Sequence, residues 1–193
     1  LFFALRGAKV VALDNNTTGL NETVNIVKQE CVTSTNIEPN IISFDCDVTK
    51  PESVENAVEN ACQAWGVPHL LWNNAGYQGQ IAPTLDYDVE DFARVININV
   101  TGMFTVLQAV SKRMASAAAN SNGIDYKFSI VNTASVAALR GTPAMVAYSS
   151  SKAAVLAMTV ATAKGKWYCS NLFYGYHQLK FLKRDDISKI FSL

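Results

Sequence analysis

Two residues of the sequence have the types and the spacing needed to move a proton. Tyr148 and Lys152 are four residues apart, so on a helix they lie on one face, one turn apart. A free tyrosine keeps its proton up to about pH 10, and a nearby ammonium favours the phenolate and lowers the pKa of a phenol. Such a pair is a usable acid and base near neutral pH. The alternative is an ordinary helix face, because this spacing also occurs by chance in many proteins.

Three further stretches hold polar residues next to apolar runs. Ile130–Ser135 is an apolar run that ends in a hydroxyl, thirteen residues before Tyr148. Leu70–Gly76 is an apolar run that breaks into a turn of small residues, Asn73-Asn74-Ala75-Gly76. Asn99–Gly102 lies inside a helical pattern of apolar residues. Because these stretches occur together with the tyrosine and lysine, they favour a catalytic role for that pair over a chance spacing.

Together the four stretches resemble the short-chain dehydrogenase/reductase family. The family's Tyr-x-x-x-Lys, its serine thirteen residues upstream, its Asn-Asn-Ala-Gly and its Asn-x-x-Gly occur here in the family's order, and the resemblance covers about residues 1 to 163. It implies that Ser135 hydrogen-bonds the substrate oxygen, Tyr148 moves the hydroxyl proton and Lys152 holds the nicotinamide ribose. It also implies that Asn99 holds a water in a proton relay to the lysine. The plain alternative for Asn99 is a buried asparagine bonded to the main chain.

The resemblance implies a nicotinamide cofactor, and Asp14 bears on which one. Asp14 follows Lys9–Leu13, a short apolar run that predicts a buried strand. In dinucleotide-binding folds an acid at this place hydrogen-bonds the adenosine ribose, and it would repel a 2′-phosphate. The next residues, Asn15 and Asn16, supply no arginine to hold such a phosphate. We therefore expect NAD rather than NADP, although an aspartate that starts a turn is the alternative.

Two more stretches are predicted to contact the cofactor. Asp47 and Val48 resemble the family's adenine-contacting pair of an aspartate and a hydrophobic residue, although Asp47 could equally be a turn residue. Asn74, Ala75 and Gly76 form a turn of small residues, which lets the backbone approach a flat cofactor. We also expect Asn74 to tie neighbouring strands together.

Strand and helix patterns alternate along the chain. Strands are predicted at 9–13, 41–44, 70–72 and 128–131, and helices at 18–31, from a capping box at Thr49–Glu52 to Trp65, from a cap at Asp88 onward, and at 148–163. A surface loop is predicted at 115–126. This alternation predicts an α/β fold, a Rossmann-like doubly wound parallel sheet with helices on both faces and the site at the carboxyl ends of the strands.

The family pattern is expected to run beyond both ends of this stretch. A phosphate-binding glycine loop should lie about 20 residues before Asp14, which places it and the first strand ahead of residue 1. Residues 1–163 are thus predicted to be part of a dinucleotide-binding domain, followed by an atypical tail at 164–193 in place of the last strands. An alternative function follows, namely a non-catalytic remnant or a binding and interaction protein.

Composition indicates a soluble globular protein rather than a disordered one. The chain has 193 residues, 49% hydrophobic and 17% charged, with no formal net charge. Neutrality gives no electrostatic case for nucleic acid or an anionic membrane, and no apolar run approaches the length of a membrane span. The four cysteines form no Cys-x-x-Cys pair, which suggests free thiols and the cytoplasm. No metal site is predicted, since the isolated His177 is a weak indication of one.

The sequence therefore predicts an NAD-dependent oxidoreductase that interconverts a secondary alcohol and a ketone. The stretch Asn73–Gly79 is similar to stretches in polyol and dihydrodiol dehydrogenases, so a polyol or cyclic diol is the expected substrate. An NADPH-dependent 3-oxoacyl reductase is the alternative within the family. The resemblance also implies a homo-oligomer.

Overall fold

A computed structural model describes residues 1–121 and 127–164. Its chain divides into two compact units, Leu1–Val67 and Pro68–Leu193. The predicted tail at 164–193 lies outside the described residues, apart from Lys164, and so do Cys169 and His177.

The first unit is built on a parallel pair of strands. Strand β1 (Val10–Asp14) pairs with β2 (Ile41–Asp45), with Val10 opposite Ile41 and Asp14 opposite Asp45. Helix α1 (Thr17–Thr35) connects them, four residues longer at its end than its apolar pattern predicted. A short 3₁₀ turn (Ala4–Arg6) precedes β1 and ends at Gly7, which has a φ of +77°.

Helix α2 (Pro51–Trp65) follows β2, and it begins differently from the prediction. Pro51 occupies its first turn and Gly66 follows its last residue, both as predicted. The predicted capping box is wrong, because Lys50 is the N-cap residue and no side chain caps the helix. The Thr49 hydroxyl instead donates a hydrogen bond to the Asp47 carboxylate over 2.7 Å.

The second unit holds another parallel pair of strands. Strand β3 (Leu70–Asn73) pairs with β4 (Ser129–Asn132), so that Asn73 lies opposite Asn132. The described strands thus confirm the predicted parallel α/β arrangement. A 3₁₀ turn (Thr84–Asp86) lies between β3 and the next helix.

A long helical stretch links β3 to β4, interrupted where the sequence predicted one continuous helix. It consists of α3 (Val89–Ile96), a π-helical turn (Asn97–Gly102) and α4 (Met103–Ala119). Asp88 caps α3 as predicted, its carboxylate accepting from the Glu90 main-chain nitrogen over 2.8 Å. The apolar pattern of this stretch is largely buried, and its core residues are Val95, Met103, Val106, Leu107 and Val110.

The predicted loop at 115–126 is wrong for its first part. Helix α4 continues to Ala119, because its alanines favour helix and Met114 is buried in the core. Residues 122–126 lie outside the described ones. After β4 come a short helix α5 (Ala137–Arg140) and the helix α6 (Val146–Lys164), which carries Tyr148 and Lys152.

Candidate active site

Tyr148 and Lys152 lie on one face of α6, as their spacing predicted. The Lys152 ammonium is 5.7 Å from the centroid of the Tyr148 ring. Tyr148 is half-buried, whereas the lysine is 3% exposed. The ammonium is therefore close enough for its charge to act on the tyrosine in a largely desolvated setting.

The Lys152 ammonium has a fixed position. It donates a hydrogen bond of 2.7 Å to the main-chain oxygen of Thr133, which follows β4. Burial lowers the pKa of Lys152 from its ordinary value, since a desolvated ammonium is less stable than one in water. Because the Thr133 acceptor is a neutral carbonyl, it holds the side chain without adding an opposing full charge.

Ser135 lies just beyond the end of β4 and is held by α5. Its hydroxyl oxygen accepts from the Ala137 main-chain nitrogen over 3.2 Å, and its carbonyl accepts from the Ala138 nitrogen over 3.0 Å. Helix α5 packs against α6, which carries the tyrosine. The hydroxyl oxygen of Ser135 thus acts as an acceptor here, which leaves its hydrogen free to be donated.

Asn99 sits in the π-helical turn and is fully buried. Its Oδ1 accepts from the Tyr77 main-chain nitrogen over 2.7 Å, and its Nδ2 donates to the Tyr77 carbonyl over 2.8 Å and to the Ser151 hydroxyl over 2.9 Å. These bonds match the plain alternative, a buried asparagine bonded to the main chain. The water relay remains a prediction. Short π-helical turns occur frequently at functional sites.

The side chains of Asn99 and Lys152 both lie beside Gly76. A Cβ atom added to Gly76 would lie 3.4 Å from the Asn99 Oδ1 and 3.6 Å from the Lys152 ammonium nitrogen. A side chain at this position would fill the space beside both groups. Asn74, Ala75 and Gly76 are all exposed, as a turn that approaches a flat cofactor requires.

The asparagine that ties the strands together is Asn73, and the assignment of this bond to Asn74 is wrong. The Asn73 amide is 3% exposed and donates to the Asn132 Oδ1 over 3.1 Å and to the Met103 carbonyl over 2.8 Å. Asn132 in turn donates to the Thr159 hydroxyl of α6 over 3.1 Å. This buried network joins β3, β4, α4 and α6. Polar residues at the ends of apolar runs are the signal in the sequence that could have revealed it.

Asp14, Asp47 and Val48 lie in the other compact unit. Asp14 is the exposed last residue of β1, and its Oδ1 accepts from the Asn16 main-chain nitrogen over 2.8 Å. Asp47 accepts from the Thr49 hydroxyl and main-chain nitrogen, and these bonds lower its carboxyl pKa, with a smaller effect from Lys50, whose ammonium is 3.1 Å away. Val48 beside it is half-buried.

The buried thiol of Cys46 lies near several carboxylates at the carboxyl ends of β1 and β2. Cys46 follows β2, and its pKa is raised to about 11, first by burial and then by the carboxylates of Asp45, Asp47 and Asp14. The carboxyl ends of β1 and β2 thus form an acidic edge. An acidic edge fits a ligand that offers hydroxyl donors better than one that offers a phosphate.

Residues 2–166 match the sequence model of the short chain dehydrogenase family. The chain belongs to that family and has its Rossmann-like α/β fold. Within 1–121 and 127–164 no three His, Cys, Asp or Glu side chains group closely enough to hold a metal ion. In the same ranges no helix combines the length and the apolar character that crossing a membrane requires.

Relatives and solved structures add named comparisons. The chain is 35% identical over 118 residues to L-2,3-butanediol dehydrogenase of Corynebacterium glutamicum, covering 61% of this chain and 43% of that protein. It is 34% identical over 164 residues to a 3-oxoacyl-(acyl-carrier-protein) reductase of Thermotoga maritima, covering 85% and 60%. An NAD⁺-bound xylitol dehydrogenase structure matches with a TM-score of 0.73 and 36% identity, over 92% of this chain and 64% of that one. The chain spans about half the length of the curated relatives it matches.

Proposed function

We propose that the protein is an NAD-dependent oxidoreductase that interconverts a secondary alcohol and a ketone. The observation that carries the proposal is the Lys152 ammonium, buried and fixed 5.7 Å from the Tyr148 ring. Burying a cation lowers the folding stability of a protein. A buried cation beside a half-buried tyrosine is therefore expected where the tyrosine exchanges a proton in a reaction. Membership of the short chain dehydrogenase family supports the same chemistry.

The chain's own residues divide the work of proton transfer. Ser135 donates its free hydrogen to the substrate oxygen and stabilises the negative charge that develops there. The Tyr148 phenol gives its proton to that oxygen in ketone reduction and becomes a phenolate, and in alcohol oxidation the phenolate takes the proton from the substrate hydroxyl. Lys152 stabilises the phenolate form. The nicotinamide cofactor supplies or accepts the hydride when it is bound.

The residues present fit such a cofactor. Gly76 leaves space beside Asn99 and Lys152, where a nicotinamide ribose could hydrogen-bond the ammonium. Asp14 offers an exposed carboxylate at a strand end for the hydroxyls of an adenosine ribose. Asp45 and Asp47 add negative charge at the same edge, which favours NAD over NADP. Asp47 and Val48 are proposed to contact the adenine.

The substrate is proposed to be a polyol or a cyclic diol. The stretch Asn73–Gly79 supports this, and two of the similar proteins are named for a diol and a polyol. Another relative, 37% identical over 117 residues, is named a 3-alpha-(or 20-beta)-hydroxysteroid dehydrogenase. A panel of sugar alcohols, diols and hydroxysteroids decides between them, and turnover of steroids alone would contradict the proposal.

Replacing Tyr148 by Phe in the purified full-length protein tests the reaction. The Tyr148→Phe variant keeps the aromatic ring and removes the hydroxyl group that would carry the transferred proton. We expect kcat to fall at least about 100-fold, the lower range of what general acid–base catalysis contributes. NADH binding, followed by nicotinamide fluorescence, should be retained. Activity within a few-fold of the unmutated protein would show that Tyr148 has another role.

The compartment is also a proposal. Cys31 and Cys46 are buried free thiols in the structure. Free thiols are typical of a reducing compartment, which supports the cytoplasm.

A further inference from the structure

The segment that follows Gly76 is fastened to Asn99 through its main chain. The Asn99 side chain bonds both the nitrogen and the carbonyl of Tyr77, at 2.7 and 2.8 Å. The position of the Asn99 amide therefore depends on where the Tyr77 backbone lies. Anything that fixes this backbone also fixes Asn99 beside Gly76 and Lys152.

A single carboxylate on α3 also holds this segment. Asp91 accepts from the Tyr77 hydroxyl over 3.1 Å, from the Tyr87 hydroxyl over 2.9 Å and from the Gln80 main-chain nitrogen over 2.8 Å. The Gln80 nitrogen is the first cause of a lowered pKa at the Asp91 carboxyl. The Arg94 guanidinium lies over the Tyr77 ring, 4.7 Å from its centroid.

The segment lies directly against this carboxylate. Gly79 has a φ of +75°, and a Cβ atom there would lie 2.5 Å from the Tyr87 hydroxyl and 2.8 Å from the Asp91 Oδ2. Burial raises the pKa of Tyr87 to about 12, and the Asp91 carboxylate adds to this effect, so the phenol stays a donor across the working pH range. The hydrogen bond from Tyr87 to Asp91 therefore persists across that range.

We propose that Asp91 is a positioning residue for the reaction. It clamps Tyr77–Gln80 to α3, and the clamped Tyr77 backbone orients the Asn99 amide next to Gly76 and Lys152. This inference rests on the proposed function, because it assigns Asp91 to the same site. Its effect acts through Tyr77 and Asn99, without contact between Asp91 and the reacting atoms.

The test compares Asp91→Ala with Asp88→Ala in the full-length protein. Asp88 is a matched control, since it lies three residues earlier, caps the same helix through the Glu90 nitrogen and does not bond the segment. Hydrogen exchange of a peptide that spans residues 75–82 measures how firmly Asp91 holds the segment Tyr77–Gln80. We expect exchange there to rise at least about tenfold in Asp91→Ala and to stay unchanged in Asp88→Ala, because local opening frees these amides.

Kinetics separate positioning from a general loss of stability. We expect kcat of Asp91→Ala to fall by about 10- to 100-fold, since small displacements of a catalytic group are that costly, while the Kd for NADH stays within about threefold. Asp88→Ala should keep kcat within about twofold, like an ordinary cap variant. Equal kcat values in the two variants would overturn the inference.

Two further variants keep the outcomes distinct. Tyr87→Phe removes one bond to Asp91 at constant charge, so it carries the test if Asp91→Ala does not fold. It should raise exchange in the same peptide and lower kcat by about two- to fivefold, a partial form of the same misplacement. Unchanged values in Tyr87→Phe would then overturn the inference. A fully active Tyr148→Phe would refute the proposed function instead, whatever Asp91 does.

Discussion

Lys152 places its ammonium 5.7 Å from the centroid of the Tyr148 ring, one turn further along the same helix. Replacing Lys152 by Met keeps the apolar stem and removes the charge. Because the phenolate loses its stabilising cation, we expect kcat at neutral pH to fall at least about 100-fold. Steady-state kinetics with the best substrate of the panel measure this. A fall of less than threefold would mean that the ammonium has no part in the reaction.

The same variant has a predicted pH signature in stability. Burial lowers the pKa of Lys152 below its ordinary value of 10.5. Between the lowered pKa and 10.5 the unfolded chain binds more protons than the folded one, so folding stability rises with pH. The unfolding free energy of the unmutated protein should therefore increase relative to Lys152→Met as pH approaches 10.5. Urea unfolding at several pH values tests the sign, and a constant difference would contradict it.

Asn73 and Asn74 are adjacent and identical in type, which makes them a matched pair. Asn73→Ala leaves the buried Met103 carbonyl and Asn132 amide without their donor, and we expect it to cost about 2 kcal/mol or more of unfolding free energy. Asn74→Ala changes an exposed side chain and should cost less than about 0.5 kcal/mol. Chemical denaturation of both variants measures the difference. Similar losses would show that the tie does not depend on Asn73 alone.

Gly79 and Gly66 both have positive φ, but their surroundings differ. A Cβ on Gly79 would lie 2.5 Å from the Val95 side chain and from the Tyr87 hydroxyl, whereas a Cβ on Gly66 has no atom within 4 Å. Gly66 has a φ of +83° and a ψ of −175°, a region almost confined to glycine, so Gly66→Ala should show backbone strain of about 1–3 kcal/mol. Gly79→Ala should cost about 1–3 kcal/mol more, because packed atoms must move. Thermal or urea unfolding compares the two, and equal costs would contradict the close packing at Gly79.

Asp14 and Asp45 lie opposite each other at the ends of their strands. Replacing each in turn distinguishes a specific contact of Asp14 with the cofactor from a general effect of negative charge. We expect the full-length protein to bind NADH at least about tenfold more tightly than NADPH, since Asp14 accepts from ribose hydroxyls and repels a 2′-phosphate. Asp14→Ala should erase most of that preference, and Asp45→Ala should change it less. Fluorescence titration with both cofactors measures this. Equal affinity in the unmutated protein would sink the prediction.

The helical spacing of Tyr148 and Lys152 could be predicted because a period of 3.6 residues leaves little freedom. The choice between Asn73 and Asn74 could not. In a strand, alternate residues face opposite sides, but the run Leu70–Trp72 is apolar on both, so no pattern tells which asparagine points inward. The structure settles it through the bond from Asn73 to Asn132.

The start of α2 shows a second limit of sequence patterns. Thr49 and Glu52 have the spacing of a capping box, yet Asp47 competes for the Thr49 hydroxyl and takes it at 2.7 Å. The π-helical turn at Asn97–Gly102 is even harder to predict from the sequence, because its apolar residues fit a continuous α-helix almost as well. Both features depend on contacts that a local pattern does not contain.

The π-helical turn makes the geometry around Asn99 a matter of chain length. Such a turn holds one residue more than the α-helical turn it replaces. Removing one residue other than Asn99 from Asn97–Gly102 would let the stretch close into regular α-helix, and the Asn99 amide would move relative to the Tyr77 main chain. The bonds from Asn99 to Tyr77 would then be lost even though Asn99, Tyr77 and Asp91 were all still present. The position of Asn99 therefore depends on the number of residues in this turn as well as on their side chains.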